Sequence, residues 1–276
     1  MTQEPKPGSQ EAGPGDTREL EPLLVEFIQL EHVDQLESML RQHPELLTEA
    51  CGRTFTALIQ RWAADGHGTL AASANVHRRV LQRYRATRDD AQRLAAAAWR
   101  RHRAFTETGD LDALQQAVEG WRSVLAHPGF GFLPADIRAG FFIDAGNDFL
   151  RHSQQRAGLG ELEAAIGCYQ DASKADPGGP RRAAAMVNLA AELRQRGHAD
   201  DLEAAVERLT EGTSSEDPAT RTLVWSNPGH VRLDQYLASA DTVFLTAAGS
   251  AYRQALTEME SGSAAEPGWW SQLATV

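Results

Sequence analysis

The sequence predicts an all-α fold built from repeated antiparallel helix pairs, and three observations carry that prediction. Alanine, leucine, glutamate and arginine dominate, and all four favour helix. Apolar residues recur at helical spacing from Leu23 to Leu256, and no run alternates apolar with polar over strand length. A set of positions also repeats along the chain, at offsets of 48 and then 40 residues.

Residues 1–19 read as a tail, with residues 1–17 rich in Pro, Gly, Glu and Gln and therefore expected to be disordered. Residues 20–86 read as a helical segment. Its first helix carries Leu23, Leu24, Phe27 and Ile28. Its second carries Val33, Leu36, Met39 and Leu40 and stops before His43-Pro44, because proline disfavours helix in the residue before it. A third begins near Thr48, carries Phe55, Leu58, Ile59 and Trp62, and ends in Asp65-Gly66-His67-Gly68. A fourth holds Val76, Val80, Leu81 and Tyr84.

Residues 87–216 read as three helix pairs. Thr87 with Asp90 resembles a capping box and predicts a helix start, with Leu94, Ala98, Trp99 and His102 on or near one face. Its partner follows Gly109-Asp110. The second pair is residues 134–156, with Ile137, Phe141, Ala145 and Phe149 at intervals of four, and GELEAAIGCYQDASKADP. The third is RRAAAMVNLAAELRQRG and ADDLEAAVERLTEG. The second helices superimpose: Leu114, Leu162 and Leu202; Ala117, Ala165 and Ala205; Val118, Ile166 and Val206; Trp121, Tyr169 and Leu209. A small residue admits the facing helix, and a large residue one turn on fills the gap. Pro128, Pro177 and Pro218 fall at or beside one position after each second helix.

A small residue four before an aromatic or Leu, followed by proline, resembles the second half of a tetratricopeptide repeat. AGNDFLRHSQQRAGLGELEAAIGCYQDA and NLAAELRQRGHADDLEAAVERL are similar to a long variant found in bacterial and fungal proteins that also carry a caspase-like CHAT domain. LLVEFIQLEHVDQLESMLRQHPELLTEA with VHRRVLQRY resembles the helical segment that often precedes those repeats. Together the matches cover roughly residues 20–212. The resemblance implies a TPR-like α-solenoid whose first helices line a concave wall. No CHAT domain and no His/Cys protease motif accompany it here.

The repeat degrades over residues 217–260. A helix is expected to open at Asp217-Pro218 and break at Asn227-Pro228-Gly229. An amphipathic one with Leu233, Leu237, Ala240 and Phe244 then spans residues 231–246, continued by Tyr252 and Leu256. In the tail 261–276, Trp269-Trp270 reads either as a docking element, for this chain or a partner, or as a terminus that merely contains tryptophan.

Composition narrows the function. A net charge of −11 excludes a non-specific nucleic-acid binder. No apolar stretch reaches membrane-spanning length, and the polar N-terminus is no secretory signal, so a cytoplasmic protein is expected. Basic charge is arginine except for Lys6 and Lys174, the bias of a GC-rich, bacterial genome. Cys51 and Cys168 lack zinc or redox spacing and read as buried free thiols. The nine histidines show no ligand spacing and read as solvated or capping. Asp89-Asp90 and Asp200-Asp201 read as helix starts rather than metal sites. Nine arginines between Arg78 and Arg103 read as a solvated face, and Phe130 and Phe132 as plugs of the inter-repeat core. No catalytic residue, metal or cofactor is expected.

Polar residues on the first helices are the binding candidates: Arg100, Asp144, Asn147, Arg151, Asn188 and Glu192. Asn147 and Asn188 either meet a peptide backbone or bond neighbouring helices. Two functions follow. One is a non-catalytic scaffold holding a protein or peptide in the groove. The other is a helical-repeat enzyme or small-ligand binder whose groove is closed by the C-terminal helices.

Overall fold

The computed structural model describes residues 16–156, 159–179, 181–196, 201, 203–204, 206–207, 209 and 218–262. Among them every regular element is helical, so the fold is all-α. The expectations for residues 1–15, Asp200, Leu202, Ala205, Asp217 and Trp269-Trp270 lie outside the described residues. By its contacts the chain forms two compact units. The first comprises the described residues up to Ala96 with Ser123–Pro134, the second Ala97–Arg122 with those from Ala135 on.

In the first unit α1 (Asp16–Ile28), α2 (Val33–Gln42), a 3-10 turn (Pro44–Leu47) and α3 (Glu49–Ala64) surround an apolar core. Leu24, Phe27, Leu40, Leu46, Leu47, Cys51, Phe55 and Leu58 are its buried centre. The helix boundaries have local causes. Thr48 caps α3 by accepting the Cys51 N–H, and Gly66, at φ 82, ends it in a left-handed turn. Helix α1 starts at Asp16, so the disorder expected for residues 16 and 17 is not met: no Pro or Gly interrupts the chain from Asp16 to Glu21. Val33 and Val76, expected inside, are exposed.

The helix start expected at Thr87 does not exist. Helix α4 runs unbroken from Gly68 to Thr108. The Thr87 hydroxyl donates back to the Arg83 carbonyl instead of capping a terminus, and Asp89 and Asp90 pair with arginines on their own helix. Nothing between Gly68 and Thr108 is a helix breaker, so propensity overrides the capping signal. Phe130 and Phe132 are buried in a 3-10 turn (Pro128–Phe132), but Phe132 does not fill an inter-repeat core. It belongs to the core of the first unit, edge-on to Tyr84 at 5.0 Å and beneath the Arg41 guanidinium.

In the second unit the last part of α4 pairs with α5 (Leu111–Leu125), α6 (Ala135–Arg156) with α7 (Leu159–Ala175), and α8 (Arg181–Arg196) follows against α7. Contacts pair residues equidistant from the helix ends, as antiparallel packing requires. Ala98 meets Gly120 and Trp99 meets Trp121 across the turn at Gly109-Asp110; Asn147 meets Tyr169 across residues 157–158. The repeat register holds at its largest residues: Trp121, Tyr169 and Leu209 are all fully buried, as are Ala117 and Ala165. Gly146 has a packing role, because a Cβ there would lie 2.7 Å from the Tyr169 ring. Burial pushes the thiols of Cys51 and Cys168 up to about 12, which makes both inert at neutral pH.

The C-terminal helices depart from expectation. Helix α9 (Pro218–Ser239) continues through Asn227-Pro228-Gly229. Proline removes only one ladder bond, and Gly229 serves packing: the Tyr252 ring of α10 (Thr242–Gly262) lies 2.6 Å from where its Cβ would sit. The break falls instead at Ala240, at φ 57, where Asp241 accepts the Val243 N–H at 2.9 Å and starts α10. Residues 231–246 are therefore not one helix, and Leu237 at the turn is 72% exposed.

Candidate functional site

The polar side chains of the second unit converge on one helix. Helix α6 carries two stripes at i, i+4 spacing. Phe141, Ala145 and Phe149 are buried and apolar; Asp144, Asp148 and His152 are polar, and Asp148 and His152 are also buried. Carboxylates set among aromatics must find donors. Asp148, 1% exposed, finds two. The His102 Nδ1–H donates to one carboxylate oxygen at 2.6 Å, and the Trp121 Nε1–H donates to the other at 2.9 Å. Asp144 accepts from the Trp99 Nε1–H at 3.0 Å. Trp99, Trp121 and Phe141 pack mutually, with ring centroids 5.4–5.9 Å apart, so three elements meet at one aromatic cluster with two acids beneath it.

Between Asp144 and Asp148 on α6, Asn147 anchors a second set. The Tyr169 hydroxyl donates to Asn147 Oδ1 at 2.9 Å, and Asn188 Nδ2 donates to the same oxygen at 3.4 Å. The two asparagines therefore bond neighbouring helices, the second of the two roles open to them. Glu192 is buried on α8, and its Oε2 makes no hydrogen bond among the described residues. Arg100 and Arg151 are exposed. The six candidates thus divide: Asp144, Asn147, Asn188 and Glu192 lie in or beside the helix seams, and two arginines face outward.

Sequence reading missed Asp148 and the hydrogen bonds that Trp121 and His102 make to it. The signal was present as Asp144, Asp148 and His152 recurring every four residues among phenylalanines. His152 departs from the solvated or capping expectation: it is 9% exposed, with Nδ1 3.7 Å from Glu161. His127 fits it, accepting the Gly129 N–H at 3.1 Å.

Burial pushes the carboxyl of Asp144 up to about 6, with Asp148 adding to the rise and the Trp99 hydrogen bond opposing it. Burial likewise raises Glu192 to about 6. Unfolded carboxyls titrate near ~4. A raised folded-state value means the native chain holds the proton more tightly. The stability these groups contribute is therefore complete below about pH 4 and is lost as pH rises through about 6. We expect Asp144→Asn with Glu192→Gln to flatten the fall in melting temperature between about pH 5 and pH 7. Asparagine can still accept from Trp99. Parallel curves for the double variant and the parent would refute the assignment.

Open grooves cut the described surface of each unit. One, of about 480 Å³, lies in the first unit between α3 and α4, floored by Leu46, Leu47, Phe55 and Leu81. Another, of about 420 Å³, lies in the second unit among Val206, Val224, Trp225, Pro228 and Ala251, with Arg232 and Gln254 at its edge. Among the described residues no three His, Cys, Asp or Glu side chains gather as a metal site. No described helix is long and apolar enough to cross a membrane. No protein-family model matches the chain, and no curated protein matches it.

Proposed function

We propose that this chain is a non-catalytic scaffold of tetratricopeptide-like type, working in the cytoplasm, that binds a protein or peptide segment along the first helices of its repeats. The observation that carries this reading is where the polar chemistry lies. Both carboxylate oxygens of Asp148, one of Asp144 and the Asn147 Oδ1 are bonded to Trp121, His102, Trp99, Tyr169 and Asn188, which ties helix to helix. Arg100 on α4 and Arg151 on α6 are exposed, and guanidinium groups grip carboxylates and carbonyls.

The test is site-specific photo-crosslinking in cells. A photoreactive side chain replaces Arg100 or Arg151 on the first helices, and Gln116 or Gln170 on the second. The reading expects one protein captured from the first-helix positions and not from the others. Capture equal at all four positions would refute the assigned face. A small molecule retained by the native protein and chemically changed on incubation would turn the reading toward an enzyme.

A further inference from the structure

The groove of the first unit has a charge pattern that the reading above does not use. Its walls are two helical stripes: Gly52, Arg53, Thr56, Ala57 and Gln60 on α3, facing Arg78, Gln82 and Arg85 on α4. Three arginines and one glutamate line it, in a chain whose net charge is −11. Glu49 is already held by Arg85 at 2.6 Å. Arg78 bonds only the neutral Asn75 side chain, at 3.0 and 3.2 Å, and exposed Arg53 has no carboxylate at ion-pairing distance among the described residues. The rim is therefore cationic over an apolar floor.

Gly52 points the same way. It sits inside α3, where glycine weakens a helix relative to alanine. No heavy atom lies within 4 Å of where its Cβ would be, so packing does not demand the glycine. Its effect is to leave the groove unfilled. From Gly52 to Gln60 the α3 wall is about 12 Å long, roughly two helical turns.

We propose that this groove docks a short acidic segment of a partner protein. Apolar side chains of the segment rest against Gly52 and Ala57 on the accessible α3 wall, above the buried Leu47, Phe55 and Leu81. Its carboxylates meet the Arg53 and Arg78 guanidinium groups, whose forked donors match carboxylates. The site lies on the first unit and does not depend on the reading of the second.

The test is fluorescence anisotropy with the full chain and a labelled peptide of roughly a dozen residues, leucine at every fourth position and glutamate elsewhere. Two matched peptides carry Gln or Lys in place of Glu. The glutamate peptide should saturate, the glutamine peptide should bind about tenfold more weakly, and the lysine peptide should not bind. Added salt should weaken the glutamate peptide. Arg53→Glu with Arg78→Glu should lower its affinity at least about tenfold with an unchanged melting curve. Gly52→Leu should block it without lowering the melting temperature, and Gly52→Ala reports any loss of fold separately. Absence of binding, equal binding of the Glu and Gln peptides, or binding indifferent to Gly52→Leu would each overturn the proposal. So would self-association abolished by the arginine variants, which would make the occupant a second copy. Occupation of the groove by dodecanoate with no peptide bound would also overturn it, in favour of a small amphiphile.

Discussion

Ala165→Trp should lose most of its cooperative melting transition, while Ala164→Trp should melt close to the parent. Ala165 is fully buried on α7, in the same repeat position as fully buried Ala117; its neighbour Ala164 is only half-buried. An indole at 165 has to displace α6 or α8, because interiors are packed without spare volume. Overpacking costs about 1–3 kcal/mol, and more where two helices must separate. Thermal melts followed by circular dichroism check this. Equal midpoints for the two variants would mean that the small residue of the repeat is not at the helix crossing.

Asp148→Ala should be nearly as damaging, through lost hydrogen bonds rather than a steric clash. Its carboxylate is the common acceptor for His102 and Trp121. Alanine would leave the Trp121 N–H buried without a partner and release His102 from α6. An orphaned buried donor costs about 1–3 kcal/mol, and the lost His102 contact adds to it. Asp148→Asn should be milder, since its amide oxygen still accepts from Trp121. Urea titration gives the stabilities, and near-ultraviolet circular dichroism reports the Trp99–Trp121 cluster. An alanine variant as stable as the asparagine variant would show that the shared acceptor contributes little.

The helices and the repeat register were legible because both rest on local periodicity. Trp121, Tyr169 and Leu209 could be aligned from the sequence, and all three are fully buried. What was not legible depends on partners distant in sequence. Asn227-Pro228-Gly229 has every local sign of a helix end. Only the Tyr252 ring against Gly229 explains why the helix continues. Thr87 and Asp90 had the spacing of a cap, but local spacing says nothing of whether the preceding turn has stopped. The candidate site was half legible. Asp144 and Asn147 were recognised as polar on the right helix. Their donors, Trp99 and Tyr169, come from positions 45 and 22 residues away, and no window of sequence links them.

The longer of the two repeat offsets bears on how this protein could be divided or inherited. Arrays of helix pairs commonly gain and lose whole repeats, because each repeat leans only on its neighbours. Here the stretch Ser123–Pro134, between the first pair and the second, belongs to the amino-terminal unit and contributes Phe132 to that unit's core. The amino-terminal unit is thus not one continuous stretch of chain, and no single cut of the gene separates the two. A recombination event at a repeat boundary would strip Tyr84 of its aromatic neighbour. The pair Ala135–Ala175 is one continuous stretch of chain, but moving it would orphan Trp99, His102 and Trp121, whose hydrogen bonds end on Asp144 and Asp148.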